Sequence, residues 1–478
     1  MSKPWIVMKF GGSSVAAARY WPIILNLCQA KISQGKNVLV VLSALKNVSN
    51  TLEALILQAL SGVHVIAIQR LKEYHFGFAS ELGLDGANLL DNLFEELTLR
   101  CEKINNAQTI KPEDYAKVLA YGELLSTTLG AAYLFKHSQT CQWLDVRKIL
   151  KTSPSSVHQG EGDWHHFLSA ECNYEFDPEL VTRYQSDADL LVTQGFIATD
   201  LNNKTVLLGR EGSDTSAAYL AAILGAKKIE IWTDVAGVYT TNPRELPSAR
   251  RLKNLSYDDA RRMANFGAKV LHPKALIPAE KNHIEVVVND ISKPERGGTT
   301  IHSHSNAIST SPFAVVVRKK VTQIKFNHEK TKISNALEAL GYDILLDCSD
   351  FKKNYKHQLF LRYVDTTSPE PEQQSIQALF DLNENITKDV NSFEIKYAVG
   401  VLTIVGKESG EWIHNVECYI QQNLKVDSEN IFSFPESGRI SIILNTNLIM
   451  KTLIELHLEF IENSKSDIFG KSWDENAD

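Results

Sequence analysis

An alternation constrains this chain more than any other feature. Over the first 300 of its 478 residues, short apolar runs take turns with amphipathic stretches. Residues 6–10, 38–42, 142–146, 190–197, 206–208, 229–232 and 285–289 read as strands, most of them continuous apolar runs. Residues 117–135, 214–224 and 257–266 carry apolar side chains at helical spacing, and Ser256 with Asp259 caps the last of them. Strands apolar on both faces, alternating with helices, predict an α/β fold with a largely parallel sheet sandwiched by helices. Composition supports a folded core. The chain is 44% apolar and 22% charged, which excludes disorder as its general state. Length alone predicts about three domains.

Charge and cysteines narrow the function classes. Fifty basic against 57 acidic residues give a net charge of −7. No global field draws such a chain to nucleic acid or to an anionic membrane. Six cysteines stand singly, without the spacing of a zinc site or a disulfide framework. The apolar runs are far shorter than a bilayer span. The first five residues lead straight into a strand and do not form a signal peptide. A cytoplasmic location is expected.

Residues 292–311 hold Pro294, the pair Gly297-Gly298 and a run rich in Ser, His and Asn, and the domain boundary is placed there. The expected division is 1–300 and 312–478. In the second part, two blocks each read as strand, helix and strands, at about 312–392 and 393–464. They predict two small α+β modules of similar size. The polar tail 464–478 is expected to fray.

Six segments carry candidate chemistry. Lys9-Phe10-Gly11-Gly12-Ser13-Ser14 follows the first strand. Its glycines let the backbone approach a ligand and its lysine adds a positive charge, which suits a nucleotide phosphate. An ordinary strand-to-helix turn accounts for it equally well. No GxxxxGK[ST] or protein-kinase motif set is present. Ser43, with Ser49 shortly after, ends the second strand. Ligands bind at the carboxyl ends of parallel strands, although a helix cap has the same composition. In Tyr121-Gly122-Glu123 a glycine interrupts a helix, at a cost of about 1 kcal/mol relative to alanine. Close approach by another group is the usual compensation, and Glu123 beside it is either functional or a solvated glutamate. In 209–214, Arg210 is suited to a carboxylate, and Ser213 and Asp214 stand at a helix start, where capping is the alternative. The last two segments are 232–244 and 266–273. In the latter, Lys269 at a helix end is placed to reach a phosphate.

Taken together, KFGGSS, VVLSA, YGELLST, QWLDVRK, VTQGFIA, GREGSD, WTDVAGVYTTNPR and FGAKVLHP resemble the aspartate kinase family of the amino acid kinase superfamily, in order and in spacing over about residues 4–300. The resemblance implies transfer of the γ-phosphoryl group of MgATP to the β-carboxylate of L-aspartate, giving 4-phospho-L-aspartate, the entry to lysine, threonine, methionine and diaminopimelate synthesis. It implies that Lys9 meets the transferring phosphate and that Gly11 and Gly12 lie at the nucleotide phosphates. Ser43 and Ser49 would line the aspartate pocket, Glu123 hold the amino group and Arg210 the α-carboxylate. Ser213 and Asp214 would lie between aspartate and nucleotide. Thr233, Asp234, Tyr239, Arg244, Lys269 and Val270 would line the nucleotide. A carboxylate acceptor is already ionised at neutral pH, so positioning and charge neutralisation, not a general base, should carry such a reaction.

Four departures stand out: Glu211 and Asn47 replace usual glycines, Ser49 stands where threonine is common, and Asn242 replaces a usual aspartate. Residues 312–478 resemble, more weakly, the paired ferredoxin-like ACT modules of aspartate kinases. That resemblance implies feedback by an amino acid such as lysine, and a homodimer or homotetramer. The overall look is nearest to the lysine-sensitive type, or to the kinase part of fusions with diaminopimelate decarboxylase. A relative acting on another acid, on carbamate or on UMP, and a catalytically silent amino acid sensor, are the competing readings.

Overall fold

The computed structural model describes residues 3–138, 141–153, 163–185, 189–209, 211–268, 271, 273–303, 312–327, 330, 333–334, 337, 342–348, 357–363, 393–408, 410–464 and 468–473. They group into two units. One comprises Met1–Val238, Lys253–Ala260 and Val270–Ser305; the other comprises Tyr239–Leu252, Arg261–Lys269 and Asn306–Asp478. The second unit thus draws two segments from ahead of the 292–311 linker.

In the first unit, β1 (Trp5–Phe10) and β2 (Asn37–Leu42) have every residue buried, as strands covered on both faces must. Helices α1 (Gly12–Val15) and α2 (Trp21–Ser33) lie between them. Three helices that sequence reading did not assign follow: α3 (Val48–Leu60), α4 (His64–Glu81) and α5 (Gly86–Ala107). Helix α6 (Pro112–Ser138) is long and apolar enough to cross a membrane, but 83% of its apolar window is buried inside the protein. It is a core helix.

Next come β3 (Cys141–Leu144), α7 (Asp163–Leu168), α8 (Pro178–Gln185), β4 (Leu190–Gln194), the hairpin β5 (Ile197–Thr199) and β6 (Thr205–Leu207), α9 (Gly212–Ile223) and β7 (Lys228–Thr233). Strand β8 (Arg250–Leu252) belongs to the second unit. The first unit closes with β9 (Asn254–Ser256), α10 (Tyr257–Phe266), α11 (Pro273–Lys281), β10 (Glu285–Asp290) and β11 (Thr299–His302). The end of α10 passes to the second unit at Arg261. The cap of α10 is as expected: Ser256 Oγ accepts the Asp259 N–H at 3.1 Å.

The eight-stranded sheet runs β3-β4-β2-β1-β7-β10-β11-β9. Every pair is parallel except β10 with β11. This is the α/β sheet that the alternation predicts. β1 lies between β2 and β7, so its carboxyl end is flanked by two others.

The second unit holds a six-stranded antiparallel sheet built from β12 (Ala314–Phe326), β13 (Tyr342–Asp347), β14 (His357–Tyr363), β15 (Phe393–Val405), β16 (Ile431–Phe434) and β17 (Arg439–Asn445). Its order is β13-β14-β12-β15-β17-β16. The two longest strands pair at the centre, from Ala314 opposite Val405 to Phe326 opposite Phe393. Each then carries two further strands outward in the same order, which is an architectural repeat without visible sequence identity. Separate apolar clusters form around Phe326 with Leu337 and Leu361, and around Phe360 with Phe432 and Val401. Helices α12 (Gly410–Gln422) and α13 (Ile449–His457) complete the unit.

Two expectations are corrected. The helix read over 450–461 ends at His457 and continues as a π-helical turn, Leu458–Glu462. The tail does not simply fray: β18 (Phe469–Ser472) pairs with β8, and Ile468 and Phe469 are buried. Apolar burial and a ladder with a distant strand outweigh the polar composition around them.

Candidate active site

β1 and β2 end side by side. The Ser43 N–H donates to the Phe10 carbonyl at 3.2 Å. Beyond β1 the chain turns through Gly11 and Gly12, and a Cβ at position 12 would lie 2.8 Å from the Ala44 carbonyl oxygen. The two turns approach this closely because position 12 has no side chain.

Helix α6 fastens the second turn from the other side. Ser126 Oγ donates to the Ser43 carbonyl at 2.8 Å, and Glu123 Oε1 accepts the Ala44 N–H at 3.2 Å. Positions 123 and 126 share a helix face. Gly122 permits the contact, since a Cβ there would sit 2.9 Å from Ala44 Cβ. This is the close approach expected of a glycine inside a helix.

Glu123 is 3% exposed. Its second oxygen, Oε2, is buried and has no hydrogen-bond partner. Burial pushes its carboxyl up to about 8, against the opposing pull of the Ala44 N–H and the Lys9 charge. A buried carboxylate oxygen left without a donor is costly unless a ligand supplies one.

Lys9 and Asp214 meet at the same strand ends. Lys9 Nζ lies 2.5 Å from Asp214 Oδ1, with both side chains largely buried. The two form an ion pair. Asp214 is in the first turn of α9, and Gly195 seats that turn: its N–H donates to the Leu42 carbonyl at 2.9 Å, and a Cβ on it would fall 2.5 Å from Ser213 Cβ. On the opposite flank Phe10 stacks on Trp232, which precedes Thr233 and Asp234 at the end of β7. Gly11 N–H and Ser14 Oγ both donate to the Trp232 carbonyl.

The first unit therefore brings Lys9, Gly11, Gly12, Ser43, Glu123, Ser213 and Asp214 to one end of the sheet, with Thr233 and Asp234 on the adjoining strand. Ser49 lies in the first turn of α3, two residues after Asn47. Tyr239 and Arg244 belong to the second unit, the first buried and the second exposed. Arg210, Lys269 and Val270 lie outside the described residues. Ala44, Ser126 and Gly195 were given no role from sequence. They sit inside the quoted motifs VVLSA, YGELLST and VTQGFIA, and that is the only signal they gave.

Chemically, this end offers a cation, a buried carboxylate awaiting a donor, and turns open to a ligand. It suits a small ligand carrying both an ammonium and an anionic group. Among the described residues no three His, Cys, Asp or Glu side chains cluster to hold a metal ion. Mg²⁺ is usually held by substrate phosphates with one or two carboxylates. Asp214, in the first turn of α9, and Asp234, just past the end of β7, have the donor chemistry for an ion that arrives on a nucleotide.

The amino acid kinase family profile matches residues 4–290. Lysine-sensitive aspartokinase 3 of Escherichia coli (strain K12) is 33% identical over 301 residues, covering 62% of this chain and 64% of that protein. The bifunctional aspartokinase/homoserine dehydrogenase 2 of Zea mays is 31% identical, and the match spans 32% of its length. The chain thus spans less than two thirds of the curated relatives it matches. The solved structure of E. coli aspartokinase III with aspartate and ADP aligns over 95% of this chain and 99% of its own, with a TM-score of 0.77 and 25% identity.

Proposed function

Since the chain belongs to the amino acid kinase family, we propose that it is an aspartate kinase, passing the γ-phosphoryl group of MgATP to the β-carboxylate of L-aspartate. Its fold is that of the family, and the antiparallel sheet of the second unit fits ACT modules. The observation that carries the substrate reading is Glu123: a buried carboxylate with one oxygen on the Ala44 N–H and the other without a donor. An α-ammonium group supplies that donor. Arg210 takes the α-carboxylate, and Ser43, Ser49 and Ser213 line the remaining pocket. The third group of the amino acid is thereby aimed towards Lys9.

The acceptor needs no base. The difficulty is to bring an anion onto a polyanion, so electrostatic positioning supplies the rate. Lys9 offsets charge on the transferring group. Asp214 holds the Lys9 ammonium at the strand end until the phosphates arrive. Asp214 and Asp234 would hold the Mg²⁺ that comes with the nucleotide, and it would supply positive charge against the phosphates. Gly11, Gly12, Thr233, Asp234, Tyr239, Arg244, Lys269 and Val270 form the nucleotide side. In this reading residues 1–300 are catalytic and 312–478 regulatory, with modules at about 312–392 and 393–464. Lysine serves as feedback effector, a dimer or tetramer forms through the ACT region, and the enzyme works in the cytoplasm. The likeness to lysine-sensitive aspartokinase 3 supports the effector assignment.

The test is ADP release from MgATP with and without L-aspartate, with L-glutamate and succinate as controls and lysine titrated afterwards. Release that depends on aspartate is expected. Succinate lacks the ammonium that Glu123 requires and should not substitute. Release independent of the amino acid would overturn the reading.

A further inference from the structure

The second unit carries a network that the proposed chemistry does not use. Thr240, next to Tyr239, and His457, at the end of α13, are both fully buried. Thr240 Oγ1 lies 2.8 Å from His457 Nε2, and His457 Nδ1 lies 2.9 Å from Glu462 Oε1. The same glutamate oxygen accepts from Ser248 Oγ at 2.6 Å, and Thr240 Oγ1 accepts the Arg250 N–H at 3.0 Å. One proton arrangement satisfies every group. A neutral His457 donates from Nδ1 to Glu462 and accepts at Nε2 from the Thr240 hydroxyl, a tautomer assigned from the network. Burial lowers the His457 pKa against the opposing pull of Glu462, and the Arg250 charge adds a smaller lowering.

Threonine, histidine and glutamate in this order resemble a nucleophile, its base and an orienting acid. The hydroxyl is closed to solvent, however, and its proton is committed to the ring. The chain of bonds is therefore a fastening. The π-helical turn Leu458–Glu462 creates it, because an i to i+5 step brings Glu462 beneath His457.

The fastening continues along the chain. β18 pairs with β8, with Phe469 opposite Leu252 and Ser472 opposite Arg250. The Arg250 guanidinium donates to the Ser464 carbonyl at 3.0 Å and lies 4.7 Å over the Phe469 ring. The Trp473 N–H donates to the Ala249 carbonyl at 2.9 Å, and its ring meets Tyr239 edge-on with centroids 5.5 Å apart. His457, Glu462, Phe469 and Trp473 together grip both arms of the segment Tyr239–Leu252.

We propose that these C-terminal residues are positioning residues for nucleotide binding: they hold the segment that carries Tyr239 and Arg244 in its binding shape. The inference rests on the reading of those two residues as nucleotide ligands. Trp473 acts through the Tyr239 ring and His457 through the Thr240 hydroxyl.

The test uses the full chain with Trp473→Ala, Trp473→Phe and His457→Gln. Affinity for a fluorescent N-methylanthraniloyl-ATP is titrated, the KM values for ATP and aspartate are measured, and trypsin cleavage at Arg244, Arg250 and Arg251 is timed. Trp473→Ala should weaken the analogue and raise the ATP KM about fivefold, the scale of one lost aromatic pair. The aspartate KM and the circular dichroism should stay unchanged, and cleavage should accelerate. Trp473→Phe should stay within about twofold of wild type. If His457→Gln fails to fold, the Trp473 pair decides. Unchanged nucleotide affinity in folded Trp473→Ala, or an equal loss for both substrates, would overturn the proposal. A wild-type chain that binds the analogue yet shows no aspartate-dependent release sinks the kinase reading alone. One that binds no nucleotide sinks both.

Discussion

At Glu123 burial and polar neighbours pull a carboxylate in opposite directions, burial raising its pKa and the Ala44 N–H and Lys9 lowering it. Its pKa is raised to about 8 by burial, so in the empty protein at pH 7 it is largely protonated. An ammonium ligand needs it ionised. Ligand binding below pH 8 therefore releases a proton, and the dissociation constant for aspartate should fall as pH rises from 6 to 8, by up to tenfold per unit, then level off. Titration calorimetry across that range checks this, and a flat profile would contradict it. The stability sign is the reverse of the usual carboxylate case. A raised pKa makes ionisation unfavourable to the fold above the ordinary value of about 4.3, so Glu123→Gln should raise the melting temperature of the empty protein at pH 8 and leave it unchanged at pH 4. Two further residues carry backbone strain. Glu211 has φ 52 and Asn47 has φ 68, the left-handed region in which glycine is the unstrained residue. The left-handed region costs a side chain about 1 kcal/mol, and asparagine tolerates it better than glutamate. Glu211→Gly should therefore raise the thermal midpoint by ~1–2 °C. No gain, in a variant with wild-type circular dichroism, would show that Glu211 is held by compensating contacts. The sequence exhibited both departures from glycine but not the backbone angle that gives them meaning.

Among elements, the parallel strands were legible because burial on both faces writes itself as an unbroken apolar run, as in β1 and β2. Helices α3 to α5 were not, and α4 shows why: Val65 and Ile66 are apolar yet about two thirds exposed, which blurs the stripe that reveals a helix. Strand β18 is four residues long, includes Gly470, and pairs with a strand more than two hundred positions away. Nothing local announces it. The glycine in α6 was legible as an anomaly and its cause was not, because Ala44 is a neighbour only in space. Two helix glycines separate propensity from packing. At Gly77 in α4 an added Cβ meets nothing within 4 Å, whereas at Gly122 it meets Ala44 Cβ at 2.9 Å. The propensity gain from alanine is about 1 kcal/mol in both helices. Gly77→Ala should stabilise by roughly that amount in urea unfolding. Gly122→Ala should forfeit the gain to overpacking and raise the KM for aspartate severalfold, because displacing Ala44 moves the N–H that anchors Glu123. Equal stabilisation by the two changes would refute the packing account of the site.

For the whole molecule, the composition break at 292–311 marks where the chain changes character, but it does not report what an earlier segment packs against. Tyr239–Leu252 and Arg261–Lys269 group with the later half of the chain. In that unit the Arg318 guanidinium donates to the Ala264 and Asn265 carbonyls, and Arg439 lies 4.6 Å over the Phe266 ring. Arg262 pairs with Glu408 at 2.8 Å, and the Thr240–His457 network secures the other segment. Two of the quoted motifs thus run into structure supplied from beyond residue 305. A fragment ending there retains every strand of the parallel sheet, so backbone pairing alone would let it fold. It lacks the partners of both segments, leaving Phe266, Tyr239 and the Thr240 hydroxyl without the groups that cover them. Lost burial of aromatic surface and a lost buried hydrogen bond each cost on the order of 1–3 kcal/mol, against a total stability of only about 5–15 kcal/mol. Fragment 1–305 should therefore unfold broadly at lower temperature than the full chain, with weakened near-ultraviolet dichroism and little affinity for nucleotide. Calorimetry of the two side by side decides the matter. A sharp transition with full nucleotide affinity in the fragment would mean that the segments hold their shape unaided, and that the later half acts only on an already complete catalytic half.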